Sequence, residues 1–184
     1  MLFPRILIAS MTVLCSFSVK CQTFDANSKL KGKLVIAGDT FEGTLDVNLD
    51  LNQVLFSKDN QMKIYGASQL DQILLNDHLA FVSASIQKTH YLFEILTHGQ
   101  ITLLYKEGIT NEFTNKVLDP YFVQTPNGLK ELTRKKDFLA LFGNDEKWME
   151  LHIKNDDLDL GIKEDIITAF GYYNQTFEAT NPSP

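Results

Sequence analysis

The chain has 184 residues, of which 44% are hydrophobic and 22% charged, with a formal net charge of −6. These values describe one folded domain, with or without an appendage, and not a disordered or collagen-like chain. The acids and bases are dispersed without a basic stripe, which excludes nucleic acid as a partner and disfavours anionic membrane surfaces.

Residues 1–21 differ from the remainder. Arg5 is the only charge before Lys20, and an apolar run from Ile6 leads to Val19 and Cys21 at the minus-three and minus-one positions of a cleavage site. This is the pattern of a secretory signal peptide, and the run is shorter than the roughly 20 residues of a spanning helix. Leu14 before Cys15 and Lys20 before Cys21 fit poorly with lipid attachment, which favours a small residue at that place. Cleavage after Cys21 leaves Gln22 as the N-terminus and removes both cysteines. It also leaves 15 basic against 23 acidic side chains, a net charge of −8. Export to the periplasm, cell envelope or exterior is the expectation, without a disulfide framework and without a transmembrane segment in the mature chain.

Residues 22–132 read as an antiparallel β-sheet body. Lys29–Ala37 alternates, and Gly38-Asp39 is a turn signal. In Thr40–Asn52, Phe41, Leu45, Val47, Leu49 and Leu51 fall on one parity and Glu42, Thr44, Asp46, Asn48 and Asp50 on the other, which predicts one buried and one wet face. Val54–Phe56 and Met62–Tyr65 flank the turn signal Lys58–Gln61. Further strands are predicted at about 71–75, 79–86, 89–97, 100–105, 121–124 and 129–132, with His98-Gly99 as a tight hairpin. The segments Tyr91–Leu96 and Ile101–Tyr105 are apolar on both parities, so both of their faces need a cover.

From Thr133 the period becomes helical. One helix runs from Thr133 to Gly143 with Phe138, Leu141 and Phe142 inward. A second, capped by Asn144, turns Trp148, Met149, Leu151 and Ile153 inward. A third spans about 162–174 with Ile166, Ile167, Phe170 and Tyr173 inward. Residues 133–176 thus form a helical region packed over the sheet near residues 90–105, and 177–184 a flexible polar tail. The fold class expected is α+β: an antiparallel β-meander, as a curved sheet or partial barrel, followed by about three C-terminal helices.

The chemistry-bearing constellations each have a structural account. His90, Glu94 and His98 would share a metal on a helix, but on a strand they stand roughly 13 Å apart. Asn155–Gly161 resembles a calcium loop, yet position six is Leu160 and position twelve Ile166, so it reads as an acidic interhelix loop. Asp77-His78 lacks a neighbouring nucleophile, and Asn174-Gln-Thr176 is a short glycosylation match on a helix. Gly-x-Ser-x-Gly, Gly-x4-Gly-Lys, Gly-x-Gly-x-x-Gly and His-Glu-x-x-His are all absent from the sequence. No catalytic, metal or cofactor-binding residue is assigned.

At Phe93-Glu-Ile-Leu96, Gly99 and Leu103-Leu104 the chain resembles an uncharacterised group of small signal-peptide-bearing secreted proteins from Bacteroidota. Lys135-Lys136, Phe138-Leu139, Ile153-Lys154-Asn155, Asp165-Ile166 and Tyr172-Tyr173-Asn174 are similar too, so the likeness spans most of residues 30–175. The resemblance implies export and this fold, and carries over no functional residue. The functional expectation is an exported non-catalytic protein that binds an envelope partner or serves a structural role, with an exposed apolar or aromatic patch. Its alternatives are a carrier of an apolar ligand or lipid, in a cavity lined by Phe41, Leu45, Ile64, Phe81 and Phe93, and an unrecognised hydrolase.

Overall fold

A computed structural model describes residues 29–75 and 79–178; the signal segment 1–21, Asp77-His78 and the last six residues of the tail lie outside this range. Ten strands are formed: β1 (Leu30–Ile36), β2 (Asp39–Asn48), β3 (Gln53–Lys58), β4 (Gln61–Gly66), β5 (Gln72–Leu75), β6 (Leu79–Ile86), β7 (Thr89–Thr97), β8 (Leu103–Tyr105), β9 (Tyr121–Thr125) and β10 (Gly128–Glu131). Three helices follow: α1 (Lys135–Leu139), α2 (Glu146–Asn155) and α3 (Lys163–Glu178). The α+β class is thus as the periodicity indicates.

All the strands join one open antiparallel sheet, in the order β10-β9-β8-β7-β6-β5-β1-β2-β3-β4. Two meanders, β1–β4 and β5–β10, therefore stand back to back, with β5 paired to β1 and not to β4. Two-residue turns with positive φ close the first hairpins, at Ala37-Gly38 and Asp59-Asn60. Positive φ at both residues matches the twist of the flanking strands. The first turn lies one residue earlier than the sequence suggests, because β2 already begins at Asp39.

The crossover from β4 to β5 curls the sheet. Its single 3-10 turn, Ala67–Gln69, is stitched inward: the Ala67 amide donates to the Asn52 carbonyl at 2.9 Å, and the Ser83 hydroxyl donates to the Ala67 carbonyl at 2.6 Å. Asn52 accepts the Leu92 amide at 3.0 Å through Oδ1, which satisfies a β7 donor where β8 has ended. The concavity is filled by Leu34, Leu45, Val54, Ile73, Phe81 and Leu92. At the other end Phe93, Leu104 and Phe122 occupy the opposite face with Ile109 and Leu118 of the 106–120 loop, while β10 approaches β6.

The helices cover the remaining face. Phe138, Phe142, Met149, Ile153, Ile166 and Phe170 pack on Ile101, Leu103, Val123 and Leu132. The covered strip is thus β8, β9 and the turn before β8, with β7 beside α3, so it takes in the expected 90–105 region and extends to β9. That turn also corrects the tight hairpin predicted at His98-Gly99. β8 starts only at Leu103, after a bulge at Ile95/Thr97, because the turn's backbone groups bond a helix and not each other. Asn174, 3% exposed, accepts the Ile101 amide at 2.9 Å and donates to the Ile101 and His98 carbonyls at 2.9 and 3.2 Å. Its amide is fully used and buried, so the glycosylation match is occupied structurally.

Asn174→Ala removes three hydrogen bonds and strands buried backbone groups, an expected cost of about 2–4 kcal/mol. Thermal unfolding should show Tm lowered by roughly 5–15 °C, and an unchanged Tm would remove Asn174 as the helix-to-sheet tie. A second expectation concerns Gly32 and Gly43, which face each other across β1 and β2. A Cβ on Gly32 would stand 2.3 Å from the Leu74 carbonyl oxygen, and one on Gly43 2.6 Å from the Phe56 ring. Either substitution to Ala should cost about 1–3 kcal/mol in a denaturant titration, with Gly32→Ala the worse because its obstacle is backbone.

Candidate binding surfaces

Each constellation singled out in the sequence has a definite place. His90, Glu94 and His98 belong to β7 or follow it, and the Glu94 carboxylate is engaged by Lys163 of α3 at 2.7 Å. Among the described residues no group of three His, Cys, Asp or Glu side chains could hold a metal ion. In the acidic loop, Asp159 accepts the Gly161 amide at 2.8 Å and Asp165 accepts the Asp159 amide at 2.9 Å; these carboxylates shape the loop and the start of α3. The Asp46–Asn52 row is not uniformly wet. Asn48 accepts the Leu51 amide, Asn52 serves Leu92, and Asp46 is only 5% exposed.

The five residues expected to line an apolar cavity do not converge. Phe41 and Ile64 are exposed, Leu45 and Phe81 fill the first concavity, and Phe93 lies in the core of the opposite face. Side chains occupy the inside of the curl.

One polar cluster bridges helix and sheet. Glu94, Tyr105 and Tyr121 form a row across β7, β8 and β9, and Lys163 sits on it, its ammonium 4.1 Å from the centre of the Tyr105 ring. The Tyr105 hydroxyl donates to Glu107. Burial, then the hydrogen bond and charge of Glu107, raise the Tyr105 phenol well above its ordinary value. Burial, then Glu164 and Glu107, raise Tyr121. Lys163 is already bound by a carboxylate and a ring face, so the cluster is an anchor for α3. A phenol raised in the fold favours folding below the ordinary tyrosine value and loses that contribution as pH climbs through its folded value.

A different surface is presented by α2 and α3. Trp148 and His152, one turn apart on α2, stack with Tyr172 of α3: His152 and Tyr172 centroids are 3.9 Å apart at 28°, and Trp148 and Tyr172 5.6 Å apart at 25°. His152 Nδ1 lies 3.2 Å from the Asp156 carboxylate, which fixes the ring. Trp148 remains 42% exposed, Tyr172 40%, and Leu151 beside them 59%. The sequence reading turned Trp148 and Leu151 inward. The buried stripe of α2 is in fact Met149 and Ile153 at i, i+4, and that narrow spacing was the available signal that Trp148 lies off the stripe.

The third surface is a groove of about 990 Å3 on the outer face of the first meander, bounded by Lys31, Thr44, Ser57, Lys58, Leu74 and Ala80. Ser57 Oγ in this lining, Asp46 Oδ2 and Gln53 Oε1 elsewhere on β2 and β3, and His152 Nε2 on α2 are buried without a hydrogen-bond partner. Each such atom costs roughly 1–3 kcal/mol. No family model, curated protein or solved structure matches this chain.

The tyrosine anchor gives a pH expectation. Denaturant midpoints should fall progressively as pH rises above about 10, and Tyr105→Phe with Tyr121→Phe should flatten that fall. An identical slope in the double variant would remove these phenols as its source.

Proposed function

We propose that this is an exported, non-catalytic binding protein that engages a macromolecular partner of the cell envelope through the aromatic surface of α2 and α3. One observation carries the reading: Trp148, Tyr172 and Leu151 stand together in solvent while the equally apolar Met149, Ile153, Phe170 and Tyr173 of the same helices are buried. Exposed tryptophan and tyrosine held rigid by stacking lose little conformational freedom on association and bury large area, the qualities of an interface anchor. Among the described residues no helix is long and apolar enough to cross a membrane. The signal-like leader is what supports export.

The apolar-carrier alternative is weaker, because its five lining residues are divided between solvent and two separate cores. A hydrolase would require acids and histidines joined in one cleft, whereas Glu94 is held by Lys163 and His152 by Asp156 and Tyr172.

The test places a photo-crosslinking amino acid at Leu151, and separately at exposed Lys58 on the sheet, in cells that produce the protein natively. A discrete adduct from position 151 and none from position 58 is expected. Trp148→Ala with Tyr172→Ala should weaken the captured partner at least 30-fold, equivalent to about 2 kcal/mol at a hot spot. No adduct at 151, or an adduct unaffected by the double variant, would overturn the reading.

A further inference from the structure

The sheet is open, and β4 is one of its two terminal strands. The other, β10, turns toward β6, whereas among the described residues nothing pairs with the outer side of β4. The phase of the ladder tells which backbone groups face outward. Gln61, Lys63 and Tyr65 share their hydrogen-bonding side with Ala67, whose amide continues the ladder by donating to the Asn52 carbonyl at 2.9 Å. Successive residues of a strand alternate in this respect, so Met62, Ile64 and Gly66 turn their N–H and C=O groups away from β3. The Gly66 amide is taken by the Gln69 side-chain oxygen at 3.0 Å. The amides of Met62 and Ile64 and the carbonyls of all three are left at the edge.

The side chains mark the same edge. Met62 is 69% exposed and Ile64 48%. Proteins guard such margins with proline, bulges or charges. β4 has no proline and no bulge, and its single charge, Lys63, is drawn over the ring of Tyr65, 4.5 Å from the centroid.

The strand is complementary to itself in one register. When a two-fold axis relates two antiparallel strands of one sheet, opposed side chains share a face, so one residue must meet its own copy on the axis. The two central choices are Lys63 and Ile64. An axis at Lys63 sets two ammonium groups directly opposite, which is destabilising. An axis at Ile64 instead opposes Ile64 to Ile64, Lys63 to Tyr65 and Met62 to Gly66. Each of these pairs is favourable. The isoleucines form an apolar cross-strand pair, and the Lys63 ammonium gains the ring of the second copy as well as its own. Met62 finds room beside Gly66, where an added Cβ would meet nothing within 4 Å. The backbone agrees: the Ile64 amide donates to the Ile64 carbonyl of the second copy, and the Met62 amide to its Gly66 carbonyl. Symmetry repeats both bonds, and the capped Gly66 amide is not required.

We propose that β4 is a homodimer interface, through which two copies of the chain pair antiparallel about Ile64 and continue one sheet into the other. One short strand per chain makes a small interface, at the low end of specific association, so the dimer is weak, with Kd in the micromolar range. The interface is separate from the α2–α3 surface, and neither depends on the other.

The test is sedimentation velocity of the mature protein from about 1 µM to about 1 mM, with amide deuterium exchange at both ends of that range. A concentration-dependent dimer is expected, with exchange at Met62 and Ile64 slowed about threefold or more at the upper end. Ile64→Lys places two charges on the axis and should weaken association about tenfold or more, while Trp148→Ala should leave it unchanged. Introduced cysteines read the register. Ile64→Cys meets its copy at a Cα separation of about 5.5 Å and should oxidise to a linked dimer. Met62→Cys is offset from its copy by four residues, roughly 13 Å, and should not. If Ile64→Lys fails to fold, the exchange pattern of the unsubstituted protein decides. A monomer at every concentration, a dimer that leaves the Met62 and Ile64 amides unprotected, or linkage at position 62 and none at 64 would each overturn the interface.

Discussion

In β7, β8 and β9 neither face of the sheet is available to water, and the rest of the molecule follows from that constraint. Phe93, Leu104 and Phe122 are buried on one face, and Leu92, Leu103 and Val123 on the other. Phe93 and Phe122 meet edge to face with centroids 5.3 Å apart. A strand with such composition on both parities cannot end a sheet in solvent. Two separate covers are therefore required, and they are built from different material. The 106–120 loop brings Ile109 and Leu118 to one side, and α1, α2 and α3 bring an aromatic chain from Phe138 through Phe170 and Phe142 to Tyr173 to the other.

The helical cover is fastened at both ends by polar contacts. Near the start of α3, Lys163 meets Glu94 and the face of Tyr105; near its end, Asn174 takes over the backbone groups of His98 and Ile101. These contacts fix where along the sheet the helix lies, which apolar packing alone does not specify. They also explain why β8 is short. The residues that would have extended it toward β7 give their hydrogen-bonding capacity to a side chain more than seventy positions away in sequence. At the opposite edge the curl is fastened likewise, with Asn52 and Ser83 tying the β4–β5 crossover to β6 and β7, and the Lys106 ammonium donating to the Leu49 carbonyl.

What the sequence made legible was local. Alternation located the strands because pleating has a period of two, and the change to helical spacing at Thr133 located the helices. The two-sided apolar runs at Tyr91–Leu96 and Ile101–Tyr105 announced that a cover existed. What alternation could not announce was which face the curl would enclose. Phe41 shares a parity with buried Leu45 but lies at the hairpin end, beyond the concavity, and is exposed; Asp46 shares a parity with exposed Glu42 and is buried. The pairing of β5 with β1 was equally invisible, since strand order is set by contacts between distant segments and not by the period of either. On α2 the buried stripe is narrow, because the helix packs on α1, the 140–145 segment and α3 and buries only Met149 and Ile153.

The aromatic stack and the buried polar atoms of β2 and β3 differ in how they relate to stability. The Trp148–His152–Tyr172 stack carries one buried unpartnered atom, His152 Nε2, but its rings pack on one another and its exposure costs little because lone apolar groups on a surface are ordinary. Asp46, Gln53 and Ser57 have no such offset. Leucine at position 46 or alanine at 57 would leave no carboxylate or hydroxyl to desolvate, and the neighbouring Leu55 shows that the same face accepts an apolar side chain. A fold selected for stability alone has no use for three unanswered polar atoms within two strands. Asp46 differs in this from Asp159, whose carboxylate accepts the Gly161 amide of its own loop, and from Asp156, which pairs with His152.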